Sequence, residues 1–157
     1  MKRISLILLV LFSLSCTKVQ EQRFVLQSIY LILDLNARDK ELVGTYNFKE
    51  ITAPRTASEV MSKPYIGVLV ISGLNSITGE ETYYAFDLRC PYESNNKTKI
   101  QADPEKNGYA SCPACGSKYD LRTGIGFPTG DEGPSTYQLT SYPVNRRNSK
   151  EWIVSNY

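Results

Sequence analysis

Along the chain, apolar residues come in short alternating runs, not at helical spacing. Ile29, Leu31, Leu33 and Leu35 alternate with Tyr30, Ile32 and Asp34, the two-residue period of a strand buried largely on both faces. Residues 46–51 read as a further short strand. The strongest strand signal is 65–72 (YIGVLVIS), rich in β-branched residues. A turn-rich link, 73–81, then leads to 82–88 (TYYAFDL), its expected hairpin partner. Between the early strands, 38–42 is charged, Gly44 marks a turn, and 53–63 is a loop with one helical turn expected at 58–61.

Beyond Cys90 the texture changes. Residues 93–107 are polar, with 99–101 as a short strand. Residues 108–111 lead into Cys112, and 118–121 is extended and ends in the tight turn 122–124. The segment 127–135 holds Pro128, Gly130, Gly133 and Pro134 and reads as an irregular loop. Residues 137–144 and 152–155 are closing strands joined by the basic turn 145–150. There are no repeats, heptads or long amphipathic helices. Many short strands with closely spaced turns predict an all-β antiparallel sandwich or barrel-like domain. Trp152 and the tyrosines, set among apolar neighbours, are expected in its core.

The N-terminus has a different pattern. Lys2-Arg3 precedes the apolar run 4–14, interrupted only by Ser5 and Ser13. Such a run is too short to span a bilayer, which takes about 20 apolar residues, and it reads as an export signal. Ser15-Cys16 and the polar residues after it resemble a bacterial lipoprotein junction, in which the cysteine is lipidated and becomes the first residue. The expected organisation is a signal peptide over 1–15, a tether over 16–23 and one domain over 24–157. The mature protein is expected in the cell envelope, held to the membrane through lipid on Cys16 and without a spanning helix.

Composition then narrows the chemistry. The 157 residues contain no histidine. Ser–His–Asp and Cys–His nucleophilic sites and His-ligated zinc hydrolases are therefore excluded. Without Lys2 and Arg3, 16 basic and 16 acidic residues remain, so the mature chain lacks the charge of a nucleic-acid binder. Glu80-Glu81 and Asp131-Glu132 lie in turn-rich stretches and read as solvated turns. No residue set supports hydrolysis or group transfer, and the chain is not expected to be an enzyme.

The chemistry-bearing residues are three cysteines. Cys112-Pro113-Ala114-Cys115-Gly116 is a knuckle. Its proline fixes the backbone and its glycine permits a sharp turn, so that backbone N–H groups can face a thiolate-bound metal. Cys90-Pro91-Tyr92-Glu93 supplies one further thiolate.

These residues carry a resemblance. Residues 84–91 (YAFDLRCP) and 112–124 (CPACGSKYDLRTG), with nineteen residues between Tyr92 and Cys112, resemble the two cluster loops of Rieske iron–sulfur domains. Gly133-Pro134 resembles that family's proline loop. The likeness covers about 65–157 and implies a Rieske-like β sandwich with a small cysteine-bearing subdomain at about 89–125. The family binds a two-iron, two-sulfide cluster through two cysteines and two histidines. Here Cys90 and Cys112 stand at the cysteine positions, while Tyr92 and Cys115 stand where histidines belong. Ser117 and Tyr119 match positions whose hydroxyls bond the cluster sulfurs. The sequence also resembles Rieske-fold lipoproteins of Bacteroidetes-type bacteria, in which the histidines are commonly missing.

The resemblance implies a non-enzymatic envelope module that has lost the standard cluster, its thiols free or disulfide-bridged. The alternative is an electron carrier holding a 2Fe–2S cluster, or a zinc site, through Cys90, Cys112 and Cys115, with Tyr92, Glu93 or water as fourth ligand. The implied partners are the membrane and a redox or envelope protein.

Overall fold

The computed structural model describes residues 23–93 and 97–157. The expected signal peptide and Cys16 lie outside the described residues. Among the described residues there is no α-helix, only one 3-10 turn at Lys40–Leu42. The protein is all-β, and among the described residues its strands form three antiparallel four-stranded sheets.

Twelve strands follow in chain order: β1 (Ile29–Asp34), β2 (Phe48–Ile51), β3 (Val60–Met61), β4 (Val68–Leu74), β5 (Glu81–Asp87), β6 (Gln101–Ala102), β7 (Tyr109–Ser111), β8 (Lys118–Asp120), β9 (Phe127–Pro128), β10 (Ser141–Tyr142), β11 (Val144–Arg146) and β12 (Glu151–Ser155). The first sheet runs β11-β12-β1-β3, the second β10-β5-β4-β2 and the third β6-β7-β8-β9. The expected hairpin of 65–72 with 82–88 forms as β4 and β5, paired from Val68↔Asp87 to Leu74↔Glu81. Its β-branched residues are buried from Val68 to Ile71.

Alternation sorts the β4–β5 hairpin between two cores. Val68, Val70, Tyr83 and Ala85 face one way and pack with Ile29, Leu31, Leu33, Met61 and Val154. Leu69, Ile71 and Phe86 face the other way and pack with Leu88, Ile100, Tyr119, Leu121 and the cysteines. The second sheet is thus shared, with the first sheet on one side and the cysteine-bearing layer on the other. Strand β1 is fully buried on one face only; Tyr30, Ile32 and Asp34 are half-buried.

Four expectations change. Residues 58–61 contain no helical turn: Val60 and Met61 pair with Tyr30 and Ile29 as β3. Long-range pairing to an edge of β1 outweighs the local turn tendency. The loop 127–135 contributes Phe127–Pro128 as β9, paired to β8, so the cysteine-bearing layer extends past residue 125. Arg23 belongs to the folded part instead of the tether, because its guanidinium donates to the carbonyls of Pro91 and Tyr92 at 2.8 and 2.9 Å. Trp152 is only half-buried, lying edge-on to Tyr83 with ring centroids 5.1 Å apart, whereas Tyr83, Tyr119 and Tyr142 are core residues.

Beside β1 lies a buried charge cluster. The side chains of Asp39 and Glu59 are fully buried, and Arg55 bridges them at 2.6 and 2.7 Å. Lys49 pairs with Asp39 at 2.8 Å and with Glu41 at 2.6 Å.

Candidate metal centre

Two loops bring the three cysteines together. The first leaves β5 through Leu88 and Arg89. Its path is fixed by backbone bonds from Leu88 N–H to Gly67 O (3.0 Å), Ile100 N–H to Leu88 O (2.8 Å) and Cys90 N–H to Thr98 O (3.0 Å). Arg89, immediately before Cys90, is buried and forks onto Asp87 through Nε (2.9 Å) and Nη2 (2.5 Å). The Tyr142 hydroxyl donates to the same carboxylate at 3.0 Å. A paired, hydrogen-bonded ion pair therefore sits at the root of the Cys90 loop.

The second loop is the knuckle between β7 and β8. Cys112 N–H donates to Ser117 O (2.8 Å) and Gly116 N–H to Cys112 O (2.9 Å), closing the turn. Gly116 takes φ +74°, a left-handed value that suits glycine. The loop 127–135 packs over this knuckle. A Cβ on Gly133 would stand 2.3 Å from the backbone N and Cα of Ser117, so only glycine fits there. The next contact is Ser135 N–H donating to Ser117 Oγ at 3.0 Å.

The sulfurs of Cys90, Cys112 and Cys115 all lie within 4.8 Å of one another. Cys90 Sγ and Cys115 Sγ are 3.7 Å apart, and all three residues are free thiols. Cys90 and Cys112 are buried, while Cys115 is half-buried and opens the group toward solvent. Cys115 Sγ is hydrogen-bonded to Ser117 Oγ at 3.2 Å, and Cys90 Sγ lies 3.7 Å from the Tyr119 hydroxyl.

The two knuckle thiols are electrostatically unlike. Burial pushes the Cys112 thiol up to about 12, although the backbone N–H groups of Ala114 and Cys115 face its sulfur and work the other way. For Cys115 burial also opposes ionisation, but the hydroxyl and N–H of Ser117 and the neighbouring thiols overcome it and hold the group below its usual value. Burial raises the Tyr119 phenol, which stays protonated beside Cys90. The group thus joins one sulfur whose ionisation is favoured to a buried one whose ionisation is opposed and to the buried Cys90 sulfur, a donor set suited to a thiophilic metal.

Of the residues expected at the site, Cys90, Cys112, Cys115, Ser117 and Tyr119 converge. Tyr92 is 43% exposed, and among the described residues no carboxylate joins the sulfur group. Sequence reasoning missed the Asp87–Arg89–Tyr142 support, Arg23 and Ser135. The run Asp87-Leu88-Arg89 was a legible signal, since residues two apart on a strand share a face. Ser135 carries no local signal.

Comparison with family models, with curated proteins and with solved structures finds no match to this chain. Its functional reading therefore rests on the geometry.

Proposed function

We propose that this chain is a lipid-anchored, non-enzymatic envelope module of Rieske-like ancestry. In this reading the two-iron cluster has given way to a three-thiolate site for a single metal ion, zinc or iron. One observation carries it, the collapse of all three sulfurs into one group. Two metal–sulfur bonds of 2.3 Å at the tetrahedral angle place sulfurs about 3.8 Å apart, and Cys90 and Cys115 stand at 3.7 Å. A two-iron cluster instead divides its ligands into two pairs on opposite irons, with sulfides between them. Cys115, at a former histidine position, lies against Cys90 and not across from it. Tyr92 points much of its surface to solvent. A chain with no histidine cannot supply the two imidazoles of a Rieske cluster, and three sulfurs this close suit a single ion.

Cys90, Cys112 and Cys115 would hold that ion, with the backbone N–H groups of Ala114 and Cys115 supporting the Cys112 sulfur. Cys115, the half-buried member of the three, would leave the ion open to water on its side. The ion would join the Cys90 loop to the knuckle and fix the end of the domain.

The test is elemental analysis with an absorption spectrum on protein purified anaerobically from the envelope. About one zinc or iron per chain and no labile sulfide is expected. Two irons with two sulfides per chain would restore the electron-carrier reading. Metal far below one per chain with a Cys90–Cys115 bridge would replace the ion by a disulfide.

A further inference from the structure

The three sulfurs of the centre are not equally reachable. Cys112 and Cys90 are 0% and 1% exposed, whereas Cys115 is half-buried on a knuckle whose Pro113, Ala114 and Gly116 are exposed. The space beside it is open: apart from its chain neighbours, a Cβ placed on Gly116 would meet no atom within 4 Å. A small solute therefore reaches the group at Cys115 first. Behind it stands Cys90 Sγ, 3.7 Å away and in van der Waals contact. These two sulfurs belong to different loops, Cys90 after β5 and Cys115 between β7 and β8. The third, Cys112, is held in its own turn, with its N–H on Ser117 O and its carbonyl accepting from Gly116 N–H.

From this we infer that the centre responds to peroxide: hydrogen peroxide oxidises Cys115 and Cys90 to a disulfide and so expels the ion. The inference rests on the single-ion reading above and adds a regulation to it. A cysteine that ligates a metal is a thiolate, the nucleophilic form. The Cys115 sulfur attacks one peroxide oxygen; an S–O bond forms, the O–O bond breaks and hydroxide leaves. The Cys90 sulfur then attacks the Cys115 sulfur; an S–S bond forms, the S–O bond breaks and a second hydroxide leaves. Two thiolates and one peroxide thus give one disulfide and two hydroxides. Peroxide takes up the two electrons, and zinc, which has no redox chemistry, keeps its charge. Cys112 is then the last of the three donors, too few for a structural zinc site. The new bridge joins the same two loops that the ion joins, so the fold keeps a staple in both states. That is the property of a switch and not of oxidative damage.

The test adds hydrogen peroxide to the full-length protein, purified reduced and loaded with zinc. Zinc is followed with a chromogenic chelator, and the sulfurs by intact mass and by peptide mapping after alkylation. The bound zinc is expected to leave in step with the loss of two hydrogens from the mass. The map should show a Cys90–Cys115 cross-linked peptide, with Cys112 alone of the three alkylated. A dithiol followed by zinc should restore the starting state. In Cys90→Ser the sulfur that resolves the sulfenic acid is gone, and a dimedone adduct is expected on Cys115 and not on Cys112. Zinc retained under peroxide, a Cys112–Cys115 bridge, an irreversible gain of oxygen in the wild type, or a dimedone adduct on Cys112 overturns the inference and leaves the metal reading standing. Reduced protein that takes up no zinc overturns the metal reading, and the inference with it.

Discussion

Two buried polar clusters lie in this domain, and they are built on opposite principles. Around Asp39 and Glu59 every charge has an opposite charge and the remaining lone pairs have donors. Asp34 N–H reaches Asp39 Oδ2 at 2.8 Å. Ile32 N–H reaches Glu59 Oε1 at 3.1 Å, and Arg55 N–H reaches Glu59 Oε2 at 2.6 Å. Nothing from outside is needed. The sulfurs of Cys90, Cys112 and Cys115 meet mainly each other and two hydroxyls at 3.2 to 3.7 Å, and thiols are weak donors and weak acceptors. The first cluster is closed and structural. The second has more donor capacity than the protein uses, which is the mark of a site for a ligand.

The comparison breaks most directly at the metal. Chelation followed by dialysis is expected to destabilise the purified protein by about 4 kcal/mol relative to the protein held at a thousand times its dissociation constant for zinc. Denaturant midpoints with and without zinc read this. An unchanged midpoint removes the distinction between the clusters.

The next largest effect belongs to the closed cluster. Glu59→Ala leaves Arg55 half-paired and strands the Ile32 N–H, at a cost of about 3 kcal/mol. Metal content should stay at wild-type level, since none of these residues touches a cysteine. A parallel loss of metal would show the two clusters to be coupled.

Acid sharpens the same contrast. Burial alone would raise the Glu59 carboxyl, but the Arg55 guanidinium and the N–H groups of Arg55 and Ile32 outweigh it and hold it below 4.5. A folded-state value below the unfolded one contributes stability that is complete above the unfolded pKa. That contribution is lost as pH falls through the folded value. The stability gap between wild type and Glu59→Gln is therefore expected to be widest above about pH 5 and to narrow steadily in more acid solution. Urea titrations across that range check the sign.

The smallest effect is at the cysteine end. Ser117→Ala removes the acceptor of the Ser135 N–H and the partner of Cys115, costing about 1–2 kcal/mol. It should also raise the Cys115 thiol, seen as slower alkylation of the metal-free protein at neutral pH. Loss of stability without slower alkylation would leave Ser117 as a structural residue only.

Legibility in the sequence follows the same division. The β4–β5 hairpin was readable because its β-branched run and its turn are local. The cysteine group was readable because the knuckle spacing and the lone Cys90 loop announce sulfur chemistry before any fold is known. The closed cluster was not readable. Asp39, Arg55 and Glu59 lie in two charged or polar stretches that look like solvated loops, and only the docking of 53–61 against β1 buries them. The same docking turned an expected helical turn into β3. Ser135 was silent for a related reason: its role is set by where a glycine- and proline-rich loop happens to lie. What the sequence resemblance could not supply was the position of Cys115, whose collapse onto Cys90 is a matter of loop geometry.

Gly133 gives the centre an unexpected signature in a mutational scan. Its missing side chain is the space in which Ser117 sits, so every replacement there pushes on the knuckle backbone. A cysteine changed to serine alters one atom and leaves the loop path intact. Scored by the stability of the metal-free protein alone, the scan would therefore be most intolerant at a residue that binds nothing, with the three cysteines comparatively permissive. Scored by metal retention, the order would reverse, and the distance between the two rankings would separate the residues that shape the centre from those that serve it.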